Sequence, residues 1–154
     1  MATTISNATL TVTITESVSL NGSDQGASNS FTVSNVDQVF KRIVKCPASA
    51  TTTVLTFNAA VSGAAGAVDL TDCKYIRITN KDNAEAIELA VVGAATLYQI
   101  ELAAGESHVL GNPEALMLSE ADTSPSFGTM ADLSSIQVNP AGNQVDVEVF
   151  AASI

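Results

Sequence analysis

The 154-residue chain has no Trp, one His, two Cys and six basic side chains, and only 14% of it is charged. Each shortage removes a class of function. With a single imidazole, His108 is the one side chain poised to act as a base near neutral pH. Ser107 precedes it, but Gly105-Glu106-Ser107-His108-Val109 lacks the second glycine of a nucleophile elbow. Cys46 and Cys73 stand 27 positions apart without CxxC spacing, so two buried free thiols are expected, with one disulfide as the alternative. One His and two distant Cys do not complete a tetrahedral metal site. Asp69, Asp72, Asp82 and Asn83 lie in turns without EF-hand spacing and read as solvated. No Gly-rich phosphate loop is present. No catalytic residue, cofactor or metal ligand is expected, and acids on the polar faces of strands serve solubility.

Six bases against 16 acids give a net charge of −10, which repels a phosphate backbone, so no nucleic-acid partner is expected. The longest uncharged run, Cys46 to Val68, is loaded with Thr, Ser, Asn and Gly and does not make a membrane helix. The opening MATTISNATLTV has neither a positive start nor a continuous apolar stretch, so no signal peptide is expected.

What the chain does have is apolar content of 46%, enough for one core in a chain of this length, and alternation. Thr9, Thr11, Thr13 and Thr15 share one face while Leu10, Val12 and Ile14 share the other, the signature of a half-buried strand. The apolar register continues to Val18 and Leu20 past Glu16, which reads as a bulge or as edge protection. Residues 21–26 are a turn cluster. Residues 35–46 carry helical spacing with Asn35 as N-cap and Pro47 as a stop, but their β-branched content favours a strand. Thr51 to Phe57 is expected to pair with it across residues 47–50, and Gly63 to Gly66 ends that strand. A hairpin is expected for residues 73–79 and 87–91 around Asn80-Lys81-Asp82-Asn83. Strands follow near 98–102 and 108–110. A further hairpin joins Ile136 and Val138 to Val145, Val147 and Val149. Residues 119–135 lack a period and read either as a functional loop or, equally, as a poorly marked strand.

The fold class is therefore all-β, a single β-sandwich or jelly-roll-like domain of eight to ten short antiparallel strands with little or no helix. Residues 1–20 form an N-terminal strand or arm continuous with the core, and residues 21–154 the remainder.

Charge is unevenly distributed. All six bases, Lys41, Arg42, Lys45, Lys74, Arg77 and Lys81, fall between positions 41 and 81, leaving that segment at +4, residues 1–40 at −3 and residues 82–154 at −11. If strands 39–45 and 74–81 are neighbours, these cations form one patch able to dock on an acidic surface, including that of another copy. The alternative is that they pair with acids of their own subunit.

The opening Thr9-Leu10-Thr11-Val12-Thr13-Ile14, the phrase Tyr75-Ile76-Arg77-Ile78-Thr79-Asn80-Lys81-Asp82 and the phrase from Tyr98 to Ser107 resemble the small virion structural proteins of tailed phages, especially marine and cyanobacterial ones. Within that group the chain is most similar to capsid cement or decoration proteins, over roughly residues 5–112. The resemblance implies a non-enzymatic protein assembled in the host cytoplasm. It would associate with itself, as a trimer, and brace the major capsid protein lattice on the outer surface of the head. It also implies exposed edges, for which the segment around Thr9, Thr11 and Thr13 is the candidate. A tail or fibre module binding a receptor or carbohydrate through loop 119–135 is the alternative. The lack of Trp and the presence of only Tyr75 and Tyr98 count against it, because sugar platforms use exposed aromatic rings.

Overall fold

The computed structural model describes Thr4 and residues 6–59, 67–93, 96–118 and 127–154. Residues 119–126 of loop 119–135, the Gly63 to Gly66 turn and several residues of the first segment lie outside these. Among the described residues there are thirteen strands and no helix: β1 (Ala8–Glu16), β2 (Ser19–Leu20), β3 (Ser23–Asp24), β4 (Ala27–Val36), β5 (Gln38–Cys46), β6 (Thr52–Asn58), β7 (Ala67–Asp69), β8 (Cys73–Asn80), β9 (Ile87–Gly93), β10 (Leu97–Leu102), β11 (Ser107–Leu110), β12 (Leu133–Pro140) and β13 (Val145–Ser153). The count exceeds the expected eight to ten because β2, β3 and β7 are pieces of two or three residues that carry no alternation to read. Within residues 35–46, Asn35 and Val36 end β4 and Gln38–Cys46 resolves as strand, since β5 pairs with β13 along its whole length.

Two sheets make the body, ordered β10-β9-β12-β6-β7 and β11-β8-β13-β5. All their pairings are antiparallel except β6 with β7. Their inward side chains form one cluster: Ile76 and Ile78 of β8 and Val147 and Val149 of β13 meet Leu89 and Val91 of β9 and Ile136 and Val138 of β12, all at most 1% exposed. Each such burial is worth about 1.5–3 kcal/mol against exposure, and the β-branched residues that fill the cluster suit the pleat.

The chain reaches this core by crossing between the sheets, and here three expected hairpins are corrected. β8 pairs with β11 and β13, while β9 pairs with β10 and β12, so residues 80–86 bridge the two sheets. β12 and β13 likewise belong to different sheets, as do β5 and β6. A turn signal marks where the chain reverses but not whether the flanking strands bond each other or face each other across a core.

The 80–86 crossing is held by Asn80, which is wholly buried. Its Nδ2 donates to the carbonyls of Glu85 (2.8 Å), Leu102 (3.2 Å) and Ala103 (3.1 Å), and its Oδ1 accepts from the Asp82 N–H at 3.0 Å. The Asp82 carboxylate then accepts from the N–H groups of Ala84 and Glu85, both at 2.9 Å, and these bonds hold its pKa below the usual carboxylate range.

Before the body stands a two-stranded ribbon, β1 against β4, continued by β2 and β3 at its tip. The arm thus takes in residues up to Val36. Asn21 and Gly22 adopt φ of 51° and 79°, which a two-residue hairpin loop requires. Gly26 is needed for close approach, because a Cβ there would collide with the Glu16 carbonyl oxygen.

Candidate interaction surface

The ribbon has two unlike faces. On one, Thr13 hydrogen-bonds Ser30 (2.9 Å) and Thr15 hydrogen-bonds Ser28 (3.1 Å), with Thr11 opposite Thr32. Thr9, Thr11 and Thr13 belong to this row, and all three are exposed. On the other face Leu10 lies opposite Val33 and Val12 opposite Phe31. Leu10, Val12 and Val33 pack with Phe150 around the buried trio Val36, Tyr75 and Ala152, and Phe31 stacks tilted on Tyr75 at 6.0 Å between ring centres. That contact fastens the base of the arm to the outer face of the β11-β8-β13-β5 sheet. Beyond it the same stripe is uncovered among the described residues: Ile14 and Val18 are half exposed and Leu20 is 63% exposed.

The second exposed surface is β5. Among the described residues it pairs only with β13, so its other edge offers main-chain groups without a strand partner among them. Its outer face carries Val39 and Ile43, 56% and 58% exposed, alternating with Lys41 and Lys45.

The cations do not form the single patch that neighbouring strands would give, because β13 lies between β5 and β8 and brings Glu148 and Asp146 with it. Glu148 accepts from Arg77 at 2.5 Å and lies 3.8 Å from Lys41. The Arg77 hydrogen bond, with the positive charges of Arg77, Lys41 and Lys81, holds the Glu148 carboxyl below its ordinary range. Arg77 also bonds Thr79 and its guanidinium stands 6.0 Å from the Phe150 ring centre. Lys74 donates to the Thr71 carbonyl at 2.5 Å at the start of β8, and Lys81 follows its end. Arg42 and Lys45 have no carboxylate in ion-pair range among the described residues. Two of the six cations are thus taken up by ion pairing with Glu148, and β5 keeps exposed bases along its free edge, Lys45 on the outer face and Arg42 on the other.

Side chains with reactive potential are occupied otherwise. β11 alternation puts His108 beside Ile78 on the core side and Ser107 beside Thr79 on the opposite face. Ser107 Oγ bonds Thr79 Oγ1 at 2.8 Å, and His108 Nε2 bonds the Tyr98 hydroxyl at 2.9 Å. Burial pushes the His108 pKa down and the Tyr98 pKa up, which keeps both neutral. Cys46 lies opposite Val145 and Cys73 opposite Ser153, at the two ends of β13, roughly 26 Å apart at strand rise. That is far beyond disulfide reach, and both are buried free thiols. Among the described residues no group of three potential metal ligands occurs, and no helix is long and apolar enough to cross a membrane.

Sequence reasoning placed Ile14, Val18 and Leu20 on one face but assigned that face to a core, it grouped Val39 and Ile43 with Val36, Phe40 and Val44 at helical spacing, and it passed over Phe31. The available signal was the return strand Ala27–Val36, whose Ser and Asn content is unlike that of the core strands. No family model, curated protein or solved structure matches the chain.

Proposed function

We propose that this chain is a non-enzymatic structural protein of a tailed-phage particle. In this reading it is a capsid cement protein, a β-sandwich of jelly-roll type that associates with itself as a trimer and binds the major capsid protein lattice on the outer surface of the head. The observation that carries the reading is the projecting arm, whose apolar stripe from Ile14 to Leu20 has no cover among the described residues of its own subunit. Apolar stripes left open to water mark association surfaces, and a two-stranded ribbon has little stability of its own, so this one is built to be completed by another chain. The resemblance in sequence supplies the setting. The β5 strip adds a basic docking surface to a molecule of net charge −10, and each contact can be weak because many copies act together on one shell.

The test is co-sedimentation of the purified protein with purified head shells. Saturable pelleting, with a higher melting temperature of the decorated shells, is the expected result, and protein remaining in the supernatant at all concentrations contradicts the reading.

One feature favours the runner-up, a receptor- or carbohydrate-binding tail module. A cleft of about 110 Å³ on the outer side of the five-stranded sheet is lined by Glu88, Gln99, Gln137 and Asn139, and the Asn139 Oδ1 is buried without a hydrogen-bond partner. Amide and carboxylate groups of this kind suit hydroxylated ligands. Glycan-array binding abolished by Gln99→Ala and Gln137→Ala, with no shell binding, would favour it over the first.

A further inference from the structure

We infer that the arm of one copy docks along the free edge and outer face of β5 in a second copy of this chain, and that this head-to-tail contact repeats until it closes a ring. The inference deepens the proposed structural role and rests on it in one respect, that copies of the chain meet.

The two surfaces match in three ways. The arm carries Glu16 and Asp24 and no base anywhere in residues 1–40, whereas β5 carries Lys41, Arg42 and Lys45, of which Arg42 and Lys45 lack a carboxylate partner among the described residues. The arm offers exposed Ile14, Val18 and Leu20, and β5 offers exposed Val39 and Ile43. The ribbon's outer edges and the outer edge of β5 are both unpaired among the described strands, so main-chain bonding by strand addition can join them. The base of the arm is already committed to Tyr75 and Ala152 of its own subunit, which leaves the distal half to a neighbour.

Symmetry follows from the same geometry. Donor and acceptor are different patches, so the contact is heterologous and gives a ring wherever the rotation closes. A trimer then satisfies three arms and three β5 strips without a further interface.

Sedimentation velocity over a concentration series tests this. Wild-type protein is expected to assemble, and raising the salt from about 0.15 M to about 1 M weakens assembly by screening the charged part of the contact. Glu16→Lys with Asp24→Lys weakens it roughly tenfold or more, and so does Arg42→Glu with Lys45→Glu. The chain carrying all four substitutions recovers to within roughly threefold of wild type, which a merely misfolded variant does not. Circular dichroism and melting curves check that each variant folds. A monomeric wild type, an assembly indifferent to both reversals, or a four-fold variant that fails to recover overturns the inference. If the wild type is monomeric but pellets with head shells, and Glu16→Lys with Asp24→Lys abolishes that pelleting, the arm's partner is the lattice protein. The inference then falls while the proposed function stands. Assembly that follows the predicted pattern without any shell binding upholds the inference and overturns the proposed function.

Discussion

Phe31 of the arm and Tyr75 of the body lie 6.0 Å apart between ring centres at an interplanar angle of 52°, and Tyr75 meets Phe150 edge-on at the same distance. This chain of three rings fastens the base of the arm, and the stripe beyond it is uncovered among the described residues. Removing the first ring should free the ribbon without unfolding the body. Phe31→Ala is expected to leave the melting temperature of the core within a few degrees while amide protection is lost from Leu10 to Glu16. Loss of protection throughout the body would show that the arm is part of the core instead.

Asn80 predicts a larger effect. It is a fully buried amide whose hydrogens satisfy three carbonyls, so Asn80→Ala strands buried acceptors and should cost about 2–4 kcal/mol. At about 2–4 °C per kcal/mol for a chain of this size, the fall is easily read by calorimetry. Asn80→Asp should do at least as much harm, since it places an oxygen against those carbonyls.

Acid should destabilise the fold in two stages. His108 has its folded pKa lowered by burial from 6.5, so the unfolded chain takes up the proton first, and stability is complete above about pH 6.5 and declines below it. Glu148 has its folded pKa lowered from 4.5, chiefly by the Arg77 hydrogen bond, so its contribution is present above about pH 4.5 and is lost as the pH falls through the folded value. Denaturant midpoints measured from pH 7 to pH 3 should fall in both windows. His108→Gln, which can still bond the Tyr98 hydroxyl, should remove the upper decline only, and Glu148→Gln should lessen the lower, part of which persists because the Asp82 carboxyl is also held below its usual range by the Glu85 and Ala84 N–H groups.

The thiols should be silent until the chain opens. Burial pushes Cys73 up to about 11 and raises Cys46 as well, and reaction requires the thiolate. Titration with a thiol reagent at pH 8 is expected to be slow in the native protein and to reach two equivalents in denaturant. Rapid native labelling would contradict the burial of both.

Much of the architecture was legible because alternation is a local property. Val145, Val147 and Val149 had to share a face, and so did Leu10, Val12 and Ile14. What those faces meet is not local. Ile136 to Val138 and Val145 to Val149 read as the two sides of one hairpin, yet residues 141–144 carry the chain from one sheet to the other. The stripe that includes Ile14 reads as core by composition, and only the absence of a sheet beneath it among the described residues makes it a surface. The bases between positions 41 and 81 were visible as a cluster, but Glu148, distant in sequence, divides them by entering on β13. Sequence thus exposed the candidate strip on β5 without showing which of its charges are already answered.

The proposed role is adhesion, with this protein as one of many copies braced on a shell. Its most direct test is the location and copy number of the chain on purified particles, by quantitative mass spectrometry with density assigned in cryo-electron microscopy maps. The account predicts copies on the outer head surface in proportion to the lattice subunits, with the arm of each lying on the β5 strip of its neighbour. A handful of copies confined to the tail, or none on the particle, would contradict it.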